Sequence, residues 1–420
     1  MNYHYNMKAT NIFNYLLIVI AMFPLLGMKI TIIFIILWCI FSSFIGIREK
    51  LYLNFFKDRK SFIFLIGYYL MAIISFLFVS ENMYEASKDL ETKASFLIFP
   101  IFFYLCRTKL NKKLLKNTLL SFSISNIFLA LYIWTLIFNK GIFDLFENDT
   151  YYHPLFREIF KSNTDIHLPY LGLLFGFSII ILVNFLITKN WVNKIKALLV
   201  FGVFVWLLSM FIFSARMAIL STFISFLFYS FYKVKSNRKK IIFLLIAIFI
   251  GVSLGLLPPI KRRIIGFSNT ELKLPDSTQK SHEVNFRYGI YYCAKNVIKE
   301  NWLMGVGLGS VQDKLDHCYD NFNYRGYDDF KNRQYNTHNQ YLNAWISYGV
   351  FGLLFLFFYL GYSFYKGDLL QKSFILLFSI ALLTESLFER EIGVMVFSFF
   401  NNFFFVQKYS EQNLKKSHKI

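Results

Sequence analysis

Runs of close to twenty apolar residues recur along this chain, separated by short packets of Lys and Arg, and that pattern excludes most folds. A segment crossing lipid needs about 20 apolar residues, and it must be helical to satisfy its own backbone hydrogen bonds. Candidate spans fall near 11–28, 30–47, 61–79, 94–106, 115–138 and 168–187. A second set falls near 195–213, 217–232, 241–257, 339–362, 369–384 and 392–406. The expected fold is an all-α polytopic integral membrane protein of about twelve transmembrane helices. Span 94–106 is short, with a possible earlier start in the amphipathic stretch Tyr84–Lys93.

The basic residues give an independent reading of the same spans. The chain has 45 Lys+Arg against 25 Asp+Glu, a formal charge of +20. Such a balance suggests nucleic acid only when the cations share one soluble face. Here, with the N-terminus inside, 25 of the 45 basic residues fall in inside segments and 8 in short outside loops. The remaining 12 lie in one long outer segment, Pro258–Thr337. Loops of that length cross largely regardless of charge, so the count follows the positive-inside rule. The short fourth span is needed to keep this alternation. The expected organisation is nine spans over 1–257, a large, partly helical outer loop over 258–337, three spans over 338–406 and an inside tail over 407–420. No small-x-small cleavage site follows the first span, which reads as a retained helix.

Unusual polar residues gather on the outer side of this topology. Arg216 stands alone among apolar runs in the turn Phe213–Ala218. Charge near hydrocarbon marks a pathway, a pair or an anionic ligand. Snorkelling to headgroups and pairing with Glu385 or Glu389 are the structural readings. Glu283–Asn301 predicts an amphipathic helix with Phe286, Ile290, Ala294, Val297 and Ile298 on its apolar face. Arg287 lies beside that face, where its guanidinium can fork onto a phosphate or form a surface salt bridge. Gly305, Gly307 and Gly309 read as a turn bringing the chain close to the membrane rather than as a nucleotide loop. Cys293 and Cys318 share the oxidising side and can pair. No His pair has the i, i+4 spacing of a zinc motif, and no metal site or cofactor is expected. His338 lies at a helix start beside Thr337 or Asn336 as the expected cap; it reads as a structural residue there or as a general base near neutral pH. Glu385, Glu389 and Arg390 crowd the turn before the last span. His282, His317 and the acidic residues Asp313, Asp316, Asp320, Asp328 and Asp329 also lie in the outer segment, with acceptor binding as one reading of the acids.

Three blocks together resemble the O-antigen ligase and O-antigen polymerase superfamily: Asn301–Gly309, Thr337–Leu342 and Tyr348–Leu354. Ser214-Ala215-Arg216 is similar to that family's Ser-Arg signature, Arg287 to its loop arginine, and Thr384–Val394 to its ligase-type members. The resemblance spans roughly 160–406. It implies a GT-C-like membrane glycosyltransferase of the bacterial inner membrane, with cytoplasmic termini and a periplasmic loop. Such an enzyme moves a glycan from an undecaprenyl-diphosphate carrier to an acceptor hydroxyl, without metal or nucleotide sugar. Arg216 and Arg287 would hold the diphosphate and His338 would take or orient the acceptor proton. Gly305, Gly307, Gly309, Asn339, Tyr341, Glu385, Glu389 and Arg390 would support them. Inversion at the anomeric carbon follows from attack opposite the leaving group. Ligation to lipid A–core is the expected reaction. Polymerase and protein O-oligosaccharyltransferase activities are the alternatives within the family, and a lipid-linked glycan flippase or transporter is the alternative outside it. The partners expected are the lipid-linked donor, the glycan acceptor and the bilayer, with no nucleic acid.

Overall fold

The computed structural model describes residues 2–53, 59–139, 164, 166–188, 192–212, 216–238, 240–241, 244–245, 272–276, 285–322 and 335–417. Most of the expected span 241–257 lies outside these residues, as do Ser214, Ala215, His282, Asp328, Asp329 and the side chain of Arg216. Among the described residues the structure is helical, without strands. Six of the helices are long and apolar enough to cross a membrane.

In chain order, α1 is Asn2–Ile20, α2 Phe23–Arg48, α3 Arg59–Phe78, α4 Met83–Thr92, α5 Ser95–Leu105, α6 Lys112–Asn139 and α7 Leu168–Thr188. Then follow α8 Asn193–Ile212, α9 Arg216–Lys233, α10 Phe286–Asn301, α11 Val311–Tyr319, α12 Gln340–Lys366, α13 Leu369–Ala381 and α14 Glu391–Ser417. Among the described residues, helices coincide with the expected spans other than 241–257, with three differences in their bounds. The first boundary falls at Ala21–Met22, where Pro24 starts α2, and Gly27 then kinks that helix. The stretch before the fourth span forms its own helix, α4, capped by the Asn82 side chain accepting from Glu85 N at 3.2 Å. α14 continues ten residues and more past 406, so the expected tail is largely helical.

Aromatic side chains fill the core. Trp38 of α2 is fully buried among Phe13, Phe99, Phe102 and Phe103. Phe177, Phe374, Phe397 and Phe400 form a second column between α7, α13 and α14. Lipid tails are as apolar as these rings, so close packing rather than water exclusion holds such helices together. Amides add interhelical bonds: Gln371 Nε2 donates to Asn401 Oδ1 at 3.0 Å, and Asn126 Nδ2 to Ser178 Oγ at 3.0 Å.

The helix ends sort into two groups. At one end Lys109 meets Glu49 at 2.6 Å and Lys112 meets Glu411 at 2.8 Å. At the other, the C-terminal parts of α3 and α13 meet the N-terminal ends of α5, α12 and α14 through Lys93, Gln340 and Glu389. Helices α10 and α11 belong to this second end. Their apolar faces, Ile290, Ala294, Val297, Ile298 and Leu315, pack with Ile346 of α12. The amphipathic face expected for 283–301 is thus present, with Asn285 capping the helix through Tyr288 N at 3.2 Å. Cys293 and Cys318 form a disulfide joining α10 to α11.

Candidate active site

The start of α12 sets the geometry of this end. Asn339 Oδ1 accepts from Tyr341 N at 2.9 Å and from Leu342 N at 3.1 Å, so the helix begins at Gln340. Asn339 is therefore the cap, and Thr337 has a different task. Its hydroxyl donates to Asn339 O at 2.9 Å and lies 3.1 Å from Ser386 Oγ. Between them His338 takes a left-handed backbone, φ 43°, with its N–H donating to Asn336 Oδ1 at 2.9 Å. Positive φ is uncommon away from glycine, though His and Asn adopt it more readily than most.

That backbone aims the imidazole at the turn between α13 and α14. His338 Nδ1 is buried, has no hydrogen-bond partner, and lies 3.7 Å from Glu385 Oε2. The separation is too long for a hydrogen bond but close for an ion pair once the ring is protonated. The His338 side chain as a whole is 29% exposed although Nδ1, which faces the carboxylate, is buried. Arg287, second residue of α10, reaches the same turn: its Nη2 donates to Thr384 O at 3.4 Å from an exposed position. A histidine, a carboxylate and a guanidinium from three separate stretches thus meet around Thr384–Ser386.

Arg216 opens α9, which packs against α13. Near the far end of α9, the Phe228 ring lies 5.5 Å from that of Phe364, close to where α12 ends and α13 begins. The two helices therefore run antiparallel, which carries the beginning of α9 toward the turn that follows α13.

Glu389 has a role the sequence did not reveal. It is paired with Lys93 at 2.5 Å and accepts from Gln340 Nε2 at 2.9 Å. Gln340 Oε1 in turn accepts from Phe388 N at 2.8 Å, and Gln340 N donates to Leu382 O at 2.9 Å. This buried knot fixes the turn from both sides and leaves Glu385 as the carboxylate facing His338. The expected pairing of Arg216 with Glu385 or Glu389 lies outside the described residues, because the Arg216 side chain does. Arg390 is exposed, and its carbonyl starts α14 by accepting from Val394 N. Tyr341 OH donates to Ser379 O at 2.9 Å, and its ring stacks on Phe357, a packing role.

The glycine run packs its backbone tightly against neighbouring elements of the protein. Gly305, Gly307 and Gly309 all have positive φ. A Cβ at Gly305 would meet Ile346 O at 2.5 Å, and one at Gly307 the backbone of Ser80 at 2.7 Å. Gly309 N donates to Asp89 Oδ2 at 3.0 Å, which ties the run to α4. Burial lifts the Asp89 carboxyl above its ordinary range, against the pull of Lys93 and the Gly309 N–H. Of the acidic residues in the outer segment, Asp316 accepts from Gln312 within α11, and Asp313 is exposed. Among the described residues no three His, Cys, Asp or Glu side chains gather as metal ligands would.

Lys93, Asp89, Gln340 and Ser386 escaped the sequence reading. The i, i+4 spacing of Asp89 and Lys93, ahead of an apolar run, was the only signal for the first two. No curated protein matches the chain. Residues 201–357 match the family model described as O-antigen ligase, a stretch containing Arg216, Arg287, the glycine run and His338 but ending before Glu385 and Glu389. Over that stretch the chain is similar to the O-antigen ligase family, which supports the resemblance read from the sequence motifs.

Proposed function

We propose that this protein transfers a glycan from an undecaprenyl-diphosphate carrier to a hydroxyl of lipid A–core, at the periplasmic face of the inner membrane, with inversion and without a metal. The observation that carries the reading is the meeting of His338, Glu385 and Arg287 at one turn, inside a chain similar to this family. The acceptor hydroxyl gives its proton to the Nε2 nitrogen of His338 as its oxygen attacks the anomeric carbon. The bond from that carbon to the phosphate oxygen breaks, and its electron pair leaves with the diphosphate. Glu385, facing Nδ1, stabilises the imidazolium that results. Arg287 and Arg216 hold the diphosphate, whose negative charge grows as the bond breaks, so fixed cations favour the transition state over the ground state. The disulfide between Cys293 and Cys318 supports placing the 258–337 segment on the oxidising side.

The test is transfer by the purified protein in proteoliposomes, with lipid-linked glycan as donor and lipid A–core as acceptor, chelator present. A glycan-bearing core is expected from the wild type. His338→Ala and Arg287→Ala should each lower the rate about a hundredfold or more, the usual loss for a general base or one transition-state contact. Wild-type rates from both variants would reject the residue roles. Lengthened carrier-linked chains with an unmodified core would point to polymerisation instead.

A further inference from the structure

Helix α12 is interrupted inside its apolar length. Gly349 has φ 67° and ψ −167°, which breaks the hydrogen-bond ladder at that turn. The freed groups are taken up by the strip joining α10 to α11. Val306 N donates to Ile346 O at 2.7 Å, Gly307 N to Ser347 O at 3.2 Å, and Val350 N to Trp302 O at 2.9 Å. Trp345 Nε1 also donates to Trp302 O, at 3.0 Å. A side chain at Gly349 would strike the Leu303 carbonyl. Irregular backbone is tolerated at membrane depth only where protein satisfies its polar groups, and here the broken helix and the strip satisfy each other.

The strip's tip is apolar and outward. Trp302, Leu303 and Met304 are 54%, 43% and 56% exposed, while Val306 and Leu308 behind them are buried. Along α12 just past the break, Phe351, Leu354, Phe357 and Phe358 are each more than half exposed, as side chains facing lipid are. The apolar surface therefore continues from the helix onto the strip. From Gly349 to Lys366 the helix runs 17 residues, or about 25 Å at 1.5 Å per residue. The hydrocarbon core is about 30 Å thick. With Lys366 at one boundary, the break sits just inside the other, at the level where Trp side chains concentrate.

We infer that Trp302-Leu303-Met304 is a lipid-inserted tip, buried at the boundary between headgroups and acyl chains of the phospholipid bilayer. The turn expected to bring the chain close to the membrane thus enters it through this apolar tip. This inference does not depend on the transfer chemistry. It is tested by nitroxide labels on the full chain in phosphatidylethanolamine–phosphatidylglycerol vesicles, in a Cys39→Ser, Cys106→Ser background with the disulfide kept oxidised. Labels replace the exposed Leu303 or Met304 (L303C, M304C), with exposed Lys295 of α10 (K295C) as the aqueous control. Power saturation should show oxygen access exceeding that of a water-soluble nickel chelate at 303 or 304, and the reverse at 295. Chelate access dominating at both 303 and 304, as at 295, would overturn it.

Discussion

Lys93 Nζ lies 2.5 Å from Glu389 Oε2, with the lysine side chain fully buried and the carboxylate 16% exposed. Removing one partner of such a pair leaves an uncompensated charge, which costs about 3–5 kcal/mol. Lys93→Met should therefore lower the unfolding midpoint in detergent sharply. The double variant Lys93→Met, Glu389→Gln should recover much of the loss. Additive losses in the thermal scan would mean the two residues are uncoupled.

Glu385 acts through His338 in the proposed chemistry, so its removal should cost less than removal of the base. Glu385→Gln is expected to lower kcat by about tenfold, below the hundred- to ten-thousandfold that a whole general base contributes. KM for the donor should be unchanged. Steady-state kinetics with the donor varied separate the two quantities.

Gly349 and Gly361 lie in the same helix and make a matched pair. A Cβ at Gly349 meets the Leu303 backbone and requires positive φ, whereas nothing lies within 4 Å of one at Gly361. Backbone strain alone costs about 1–3 kcal/mol at such a site. Gly349→Ala should therefore destabilise and expose the 302–309 strip to protease. Gly361→Ala should be neutral or stabilise slightly, because alanine suits a helix interior better. Size-exclusion profiles and limited proteolysis compare them.

The disulfide closes a separation of 25 residues between α10 and α11. A loop of that size is worth about 3.5 kcal/mol in the chain-entropy account. Cys293→Ser with Cys318→Ser should speed cleavage within 293–318 while leaving the membrane helices' thermal midpoint nearly unchanged. Time-resolved proteolysis read by mass spectrometry distinguishes local from global loss.

Burial raises the Asp89 carboxyl above its ordinary 3.8. The folded state then holds the proton more readily than the unfolded state, so this group's contribution to stability falls as pH rises through that window. Asn at 89 keeps an acceptor for Gly309 N–H and removes the titration. The wild-type midpoint minus that of Asp89→Asn should decline from about pH 4 upward. A flat difference would mean the carboxyl stays in its ordinary range.

Much of the helix layout was legible because lipid leaves one solution per apolar run, and the run's length marks it. The amphipathic face of α10 was legible for the same reason at period 3.6. Arg287 and His338 stood out as polar groups in a pattern that resembled a family. Lys93 did not, because it looked like one more loop lysine, and its counter-ion is 296 residues away in sequence. Gln340 was hidden inside a motif whose neighbours drew the attention. The break at Gly349 was illegible too: a glycine in an apolar helix has no sequence mark telling a straight turn from an interrupted one. Pairings set by tertiary contact leave no local periodicity to read.

The distance in sequence between Lys93 and Glu389 also orders the protein's birth. Lys93 enters the bilayer's edge before most of the chain has been synthesised, and it must wait for the final helix to supply its counter-charge. Gln340 likewise waits for Phe388 and Glu389. The turn that faces His338 is consequently fixed only once α14 is in place. A chain stopped short of it would hold Lys93 without its counter-charge.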